Sequence, residues 1–136
     1  DGAVLEILAP TDPEKGDLNN ASIVAKLTYG NISFLFAGDS ETPSEKEMLS
    51  AGYTLKSTVL KTGHHGSSTS TSDDFLKAVS PEVAVIMCET DNSYGHPHKE
   101  TLQKLDKAGV EVYRTDLLGT IVVETNGTDY HIKHER

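Results

Sequence analysis

The sequence predicts a single α/β domain in which helices pack against a mixed β-sheet. Three observations lead to this class. Apolar runs of strand length alternate with segments of helix length through the middle of the chain. The dipeptides Gly30-Asn31 and Asn126-Gly127 indicate tight hairpins near the two ends. The length of 136 residues suits one compact domain, residues 1–136, and is too short for two.

Apolar runs bounded by turn residues predict the strands. They lie at residues 3–10, 22–39 (two runs around Gly30-Asn31), 57–63, 82–88, 110–115 and 119–134 (a hairpin around Asn126-Gly127). The run EVAVIMC at 82–88 is the most apolar of them, which predicts a central strand buried on both faces. A polar loop, TDPEKGDLNN, follows the first strand at residues 11–20.

Helix start and stop signals define three helices. They are predicted within residues 42–52, 71–81 (capped by Thr71 or Ser72) and 96–109. In the first, Thr42 is the predicted N-cap and Glu45 completes a capping box. In the third, Pro97 takes the first helical position, which makes His96 the predicted N-cap.

The composition limits what the chain can do. It has 21 acidic and 12 basic residues and a formal net charge of −9, so its surface repels polyanions and does not favour passive wrapping of nucleic acid. Clustered acidic residues do suit metal cations. No apolar run approaches the roughly 20 residues that span a bilayer, so this segment is not expected to insert into a membrane. The single cysteine, Cys88, is predicted to be a buried small hydrophobe. A start at Asp1 and the lack of a leader indicate a fragment of a longer polypeptide.

Three polar loops follow predicted strands in the same way. They read GDSE at 38–41, GHHGSS at 63–68 and ETDNSYGHPH at 89–98. In sheets with helical crossovers, ligands bind where the carboxyl ends of parallel strands meet. If the three strands are parallel neighbours, one carboxylate and four imidazoles converge at that edge, namely Asp39, His64, His65, His96 and His98.

Each candidate residue has a functional interpretation and a purely structural one. Asp39 can bridge two divalent cations, or it can be a turn or cap residue. On an extended chain, the side chains of His64 and His65 point in opposite directions. One of them would then bind a metal, while the other serves as a second ligand, an acid or a hydrogen-bond donor. The alternative is that both are surface histidines without a function. The helix dipole keeps His96 neutral, which suits a metal or a phosphate contact. His98 faces either the same cleft or solvent.

Other catalytic signatures are missing from the sequence. Ser40 has no G-x-S-x-G frame, and neither a phosphate-binding glycine loop nor a Cys-x-x-Cys pair occurs. The pattern therefore favours a metal-activated water over a covalent intermediate. His131 and His134 lie on the tail hairpin and are predicted to be surface residues.

Several segments together resemble the metallo-β-lactamase superfamily, in particular the hydrolase domain at the C-terminus of ComEC-type DNA-uptake proteins. They are LNNASIVAKLTYGNISFLFAGD (18–39), LKTGHHGSSTSTSDDFL (60–76), NSYGHPHKETLQKL (92–105) and VYRTDLLGTI (112–121). The resemblance extends from roughly Leu5 to Gly127. It implies an αββα sandwich, in which two sheets face each other with helices outside, and a dinuclear site for zinc or manganese at one edge.

The resemblance also implies roles for single residues. Asp39 would bridge the two metals, and His64 would be a terminal ligand, with His65 as its rival. Asp39, His65 and His96 would carry the catalysis. Asn19 or Asn20 would stand where many members have another histidine ligand. The contacts to substrate phosphate would come from Ser67, Ser68, His96 and His98.

The motif His-x-His-x-Asp-His, which is the main metal motif of that superfamily, is not in this chain. The chain thus looks like the C-terminal half of the fold, and its apolar surface would pack against the missing N-terminal half or a second copy. The implied function is a phosphodiesterase or nuclease domain acting on DNA at the extracytoplasmic face of the cell membrane, inactive as an isolated chain. The alternatives are an inactive fragment, a non-enzymatic interaction module, or a hydrolase of small phosphoesters similar to choline-phosphate esterases.

Overall fold

A computed structural model describes residues 2–12 and 17–136. These residues form a six-stranded sheet, a two-stranded sheet and four short α-helices. In chain order the elements are β1 (Val4–Ala9), β2 (Val24–Tyr29), β3 (Ile32–Phe36), α1 (Thr42–Ser50), β4 (Val59–Lys61), α2 (Asp73–Val79), β5 (Val83–Ile86), α3 (Lys99–Lys107), β6 (Glu111–Arg114), α4 (Thr115–Leu118), β7 (Ile121–Thr125) and β8 (Tyr130–His134). Of the predicted loop at 11–20, residues 13–16 lie outside the described residues.

The large sheet is mixed, as predicted, and its strands follow each other in chain order from β1 to β6. β1, β2 and β3 pair antiparallel, whereas β3, β4, β5 and β6 pair parallel. The three parallel connections run through α1, α2 and α3. Because such crossovers are almost always right-handed and all proceed in one direction, the three helices lie on the same face of the sheet.

The hydrophobic core lies between that face and the helices. Leu35, Leu60 and Ala84 of the central strands are fully buried there against Met48 of α1 and Phe75 of α2, together with other apolar residues of the same cluster. The predicted burial of the EVAVIMC strand on both faces is confirmed only in part. Three of the four residues of β5 are buried, but Val85 is half-buried and Met87, which follows the strand on the same face, is 50% exposed. Burial at this level removes the core side chains from water and supplies the main driving force for folding.

The N-terminus of α1 is capped differently from the sequence prediction. The helix begins at Thr42, whose hydroxyl donates to the carbonyl of Thr69 (2.9 Å) and caps nothing. The backbone N–H groups of Glu41 and Ser44 instead donate to the side-chain oxygen of Asn20, each at 3.2 Å. The predicted Thr42 cap is therefore wrong, because an amide from a distant loop already satisfies the helix end.

Glu45 does not close a capping box either. Its side chain is fully buried, and its carboxylate accepts the backbone N–H groups of Thr71 (2.5 Å) and Ser72 (2.9 Å). Lys104 of α3 donates to the carbonyls of Ser70 and Thr71 from the other side. Burial raises the pKa of Glu45, although these hydrogen bonds and Lys104 act against the shift. The two side chains clamp the loop at residues 67–72 between α1 and α3.

One of the two predicted N-caps of α2 is confirmed, whereas the predicted N-cap of α3 is wrong. The hydroxyl of Ser72 accepts from Phe75 N–H, which confirms one of the two predicted caps of α2. The predicted start of α3 is wrong: its N-cap position is His98, and Pro97 precedes the helix. The backbone N–H of His98 donates to the carbonyl of Gly66 (3.0 Å) in a different loop, and the helix begins two residues later than predicted.

Both predicted hairpins are confirmed, and one packs on the other. β7 and β8 form the small sheet, and the backbone N–H of Asn31 in the β2–β3 turn donates to the carbonyl of Gly127 in the β7–β8 turn (2.7 Å). Gly30 has φ +58, and a Cβ there would lie 2.3 Å from the Gly127 oxygen. Glycine is therefore required at position 30 for both conformation and contact.

The sheet face opposite the helices is only partly covered. Ile121 and Val123 of β7 meet Phe34, Val59 and Val85 of the large sheet around an apolar cavity of about 240 Å³. Apolar side chains on the same face, at the border of this cavity and beyond it, are exposed to solvent, and we call this area the open face. Its members with their exposed fractions are Leu5 (61%), Ile7 (57%), Phe36 (43%) and Met87 (50%). Among the described residues, no helix is long and apolar enough to cross a bilayer.

Replacing Glu45 by alanine tests the clamp on the loop. The change leaves the buried N–H groups of Thr71 and Ser72 without an acceptor, and each such loss costs about 1–3 kcal/mol. We expect the free energy of unfolding from urea denaturation to fall by at least that amount. Glu47→Ala is the matched control, because Glu47 lies on the same helix and is exposed. Equal stability of the two variants would show that Glu45 does not hold the loop.

Candidate functional site

The three polar loops of the sequence analysis meet at one edge of the sheet. β3, β4 and β5 are parallel neighbours, so their carboxyl ends point the same way. Asp39 follows β3, His64 and His65 follow β4, and His96 and His98 follow β5. Neighbouring ring centroids lie 4.8–6.2 Å apart, and His65 Nε2 lies 3.4 Å from Asp39 Oδ1. The structure thus brings all five candidates together, and we call them the loop cluster.

The adjacent histidines face the same cleft because the chain turns at them. Residues Gly63–Gly66 form a 3-10 turn in which His64 and His65 both have left-handed backbones, with φ of 45 and 57. The prediction that the side chains of His64 and His65 point in opposite directions applies to an extended chain, and it is wrong here. Left-handed histidines are uncommon and cost energy, which is typical of sites where geometry matters more than local stability.

The two glycines that frame the histidines are required by close packing. A Cβ at Gly63 would lie 2.6 Å from the carbonyl oxygen of Ser40. A Cβ at Gly66 would lie 2.7 Å from Cβ of Pro97, and Gly66 also has φ +82. The turn after β4 is therefore pressed against the loops that follow β3 and β5. The GHHG pattern positions the imidazoles by allowing this approach.

Hydrogen bonds set which ring nitrogen of His64 and His65 is free. His65 Nδ1 donates to the carbonyl of Met87 (2.7 Å), and this contact directs its Nε2 towards Asp39. His64 Nδ1 lies 3.0 Å from Oε1 of Glu41, and the carboxylate accepts the proton there, which leaves Nε2 free. A carbonyl or carboxylate behind the imidazole is the usual support of a metal-binding histidine.

The spacing between His65 and Asp39 suits a shared cation. Two lone-pair groups at 3.4 Å repel each other unless a proton or a metal ion lies between them. Zinc takes nitrogen and oxygen ligands at about 2.0–2.2 Å, and two such ligands at a tetrahedral angle lie roughly 3.4 Å apart. In the described residues, no group of three or more His, Cys, Asp or Glu side chains is arranged to hold a metal ion. The described residues therefore provide one close donor pair, Asp39 and His65, and not a complete set of metal ligands.

His96 and His98 have different surroundings. His98 uses both ring nitrogens: Nδ1 accepts from Ser68 N–H (2.9 Å), and Nε2 donates to the carbonyl of Tyr94 (3.2 Å). It ties two loops together and has no nitrogen left for a ligand. The ring of His96 lies among the others, and burial together with the imidazoles of His98 and His64 lowers the pKa of His96. His96 is therefore neutral at pH 7.

The serine-rich loop is mostly committed to its own structure. The hydroxyl of Ser67 is buried and lies 2.9 Å from that of Thr69, and Ser70 donates to the carbonyl of Ser40 (2.7 Å). Ser68 is exposed, with its hydroxyl 3.1 Å from His98 Nδ1. Of the two serines predicted to contact phosphate, Ser68 is the one that reaches solvent. Thr69 extends the network by donating to Oε1 of Glu41 (2.5 Å).

Sequence reasoning missed two residues beside the cluster. Glu41 supports His64, and the signal was its place in GDSE, two residues after Asp39. Lys61 donates to the carbonyl of Gly38 (3.1 Å), which holds the turn that carries Asp39. Burial lowers the pKa of Lys61, while the charge of Asp39 opposes that shift. A lysine in an otherwise apolar strand was the only signal for Lys61.

Two other residues have structural roles. The side-chain oxygen of Asn20 is occupied by two backbone N–H groups, so it is not free to replace a histidine ligand. Cys88 is half-buried rather than buried, and burial and Asp116 raise the pKa of its thiol to about 11. The thiol therefore remains protonated at neutral pH and binds metals poorly. The histidines of the tail hairpin, His131 and His134, are exposed as predicted.

Fold and site together define an α/β domain with a histidine-rich cluster at the carboxyl edge of its parallel strands. The chain is 38% identical over 115 residues to ComE operon protein 3 of Bacillus subtilis, which is 85% of this chain and 15% of that protein. It is 38% identical over 122 residues to competence protein ComA of Neisseria gonorrhoeae (89% and 18%) and 34% identical over 122 residues to recombination protein 2 of Haemophilus influenzae (90% and 15%).

The chain is therefore homologous to one segment of these much longer proteins and spans less than a fifth of their length. This agrees with the predicted relationship to competence proteins. No family model matches the chain, and its place in the metallo-β-lactamase superfamily stays a prediction.

The tautomers of the two adjacent histidines provide a test of the site geometry. We expect His64 and His65 both to carry their proton on Nδ1 at about pH 8.5, where free imidazoles are neutral. Glu41→Ala removes the partner of His64 and should shift that ring towards the Nε2–H form. His65 should not change, because its partner is a backbone carbonyl. Long-range 1H–15N NMR spectra distinguish the two forms, and an unaltered His64 would contradict the described hydrogen bond.

Proposed function

We propose that this chain is the C-terminal part of a metal-dependent phosphodiesterase or nuclease domain with a metallo-β-lactamase-like αββα fold. The observation that carries the proposal is the close approach of Asp39 Oδ1 and His65 Nε2 at 3.4 Å, beside a second histidine whose Nδ1 is likewise engaged. Similarity to a competence protein supports a role in DNA uptake. A parent of this kind acts at the extracytoplasmic face of the cell membrane.

The proposed mechanism assigns the metal contacts of this chain to the close pair Asp39 and His65, with His64 beside them as a further candidate ligand. The Met87 carbonyl and Glu41 fix the orientation of the two rings. A bound zinc or manganese ion would supply Lewis acidity and lower the pKa of a bound water to about 7. Lys61 holds the Gly38 turn and so limits the movement of the Asp39 carboxylate.

In this proposal, the contact with the substrate phosphate is assigned to His96. His96 is neutral and lies 5.5 Å from His64 between ring centroids, so it can donate a hydrogen bond to a phosphate or leaving oxygen. Ser68 and the ring of His98 border the same space. The net charge of −9 opposes an approaching polyanion, and bound cations reverse that sign where the reaction takes place.

The remaining ligands and the second layer are proposed to come from polypeptide that precedes this segment in the longer protein. The open face supports this, because Leu5, Ile7, Phe36 and Met87 expose 43–61% of their surface. Contiguous apolar surface of this kind marks a contact with other protein. A second β-sheet seated on the open face would complete the αββα sandwich.

A non-enzymatic interaction module is the second candidate. It is favoured by the open face together with the lack of a three-ligand group in the described part of the chain. In this reading the loop cluster is structural and the chain acts by binding its partner through the sheet. The two candidates differ in metal content and in catalysis.

Hydrolysis assays separate them. The 136-residue chain and a version extended towards the N-terminus are incubated with manganese or zinc and linear DNA, and bound metal is measured by mass spectrometry. We expect cleavage by the extended chain alone. Asp39→Ala should abolish metal binding there, and Glu41→Ala should lower affinity or activity by about 10–100-fold, as for other partners of ligating histidines.

His131→Ala is the matched control, because that histidine is exposed on the tail hairpin, away from the loop cluster. It should leave both metal content and cleavage unchanged. If the extended chain cleaves no phosphoester and Asp39→Ala does not alter its metal content, the enzymatic proposal is wrong.

Substitution on the open face tests the proposed second layer. In the isolated chain Leu5→Lys should change stability by less than about 0.5 kcal/mol, because Leu5 is already exposed. In the extended chain it should cost about 1.5–3 kcal/mol, because the side chain would be buried there. Val122→Lys is the control, since Val122 is also exposed but alternates with the two β7 residues that face the sheet. Urea denaturation measures both effects, and equal costs in the two chains would rule out a docked layer.

A further inference from the structure

Three aromatic rings form a stack that leads from the loop cluster out to solvent. The ring of Tyr94 lies parallel to that of His96, with centroids 5.6 Å apart and an angle of 15° between planes. The ring of His96 in turn lies 6.2 Å from His65 at an angle of 18°. Tyr94 ends the stack and is 76% exposed. A large aromatic ring is thus exposed to solvent near His65, the candidate metal ligand. The fold of the described residues does not require an exposed ring at this position.

The backbone that carries Tyr94 is held firmly. Its carbonyl accepts a hydrogen bond from His98, and the amide of Asn92 donates to the carbonyls of Glu89 (2.9 Å) and His96 (2.7 Å). Asn92 also accepts the backbone N–H of His96 (2.9 Å). The loop is therefore cross-linked to itself and to the start of α3, so the ring is positioned before any ligand arrives. Preorganisation of this kind lowers the entropy cost of binding.

A small cleft lies directly beside the stack. It encloses about 170 Å³ and is lined by His65, Cys88, Glu89, Asn92, Tyr94 and His96. Two of these residues also belong to the loop cluster, so a group in the cleft would sit next to a phosphate bound there. The side-chain amide of Asn92 is already engaged by the backbone, so the cleft offers flat ring surfaces together with the Glu89 carboxylate and the Cys88 thiol.

We propose that Tyr94 stacks on an unpaired nucleobase adjacent to the scissile phosphate, so that the substrate is single-stranded nucleic acid. This inference rests on the proposed function. An exposed aromatic ring binds the flat face of a base whatever its sequence, whereas the faces of bases in a duplex are covered by their neighbours. The chain has a net charge of −9, so it cannot bind nucleic acid mainly through basic side chains along the phosphate backbone. Stacking on bases therefore supplies the affinity.

Binding of labelled oligonucleotides tests the inference without requiring catalysis. Fluorescence anisotropy compares a 12-residue oligothymidine with an abasic strand of the same length and charge, using the 136-residue chain with manganese. We expect tighter binding of oligothymidine. Tyr94→Ala should weaken it by about 5–150-fold, which corresponds to the loss of one base–aromatic stack, and should leave binding of the abasic strand unchanged.

Two further variants guard against indirect effects. Tyr94→Phe keeps the ring and should retain the preference for oligothymidine. Tyr53→Ala removes another partly exposed tyrosine, which follows α1 at the opposite end of the sheet, and should have no effect. Circular dichroism confirms that each variant is folded.

The inference is overturned if oligothymidine and the abasic strand bind equally, including the case in which neither binds measurably, or if Tyr94→Ala has no effect. Its failure differs from failure of the proposed function. An extended chain that cleaves both strands at the same rate would retain the phosphodiesterase role and refute the stacking role.

Discussion

The close contact of three loops around the turn Gly63–Gly66 is the constraint on which the rest of the site depends. The turn fits only because Gly63 and Gly66 lack side chains and because His64 and His65 accept left-handed backbones. Any Cβ at the glycines would push the turn away from Ser40 or Pro97 and separate the loops. The parallel order of β3, β4 and β5 brings the loops near each other, and the two glycines allow them to touch.

Within the loop cluster, the imidazoles differ in how many of their ring nitrogens are hydrogen-bonded. His64 and His65 have one nitrogen held by an acceptor and one free, whereas His98 has both engaged. His96 lies among these rings, and its lowered pKa keeps it uncharged. Four histidines fit in one small volume because the ring nitrogens of three of them have separate hydrogen-bond partners in the surrounding loops. In the proposed function, Asp39 and His65 of this cluster are the metal-binding pair and His96 contacts the substrate phosphate.

The same sheet serves two purposes on its two faces. One face is covered by α1, α2 and α3 and contains the core, so the segment can fold around it. The other carries the β7–β8 hairpin over part of its area and leaves apolar side chains such as Leu5 and Ile7 in solvent. Homology to a short segment of much longer proteins fits a surface that contacts other polypeptide. The site lies at the sheet edge, where both faces can contribute residues.

Local signals in the sequence determined the elements and the membership of the site. Two hairpins and one helix cap depend on residues within about four positions of each other, so the sequence alone predicts them. They are the hairpins at Gly30-Asn31 and Asn126-Gly127 and the Ser72 cap. Placing polar loops after strands was enough to gather the five cluster residues. Tertiary contacts alone decided the rest: Asn20 caps α1 from 21 positions away, and Glu41 supports His64 from 23. The left-handed turn likewise exists because other loops press on it. Partners so distant in sequence leave no periodic or spacing signal, and therefore only the folded chain shows them.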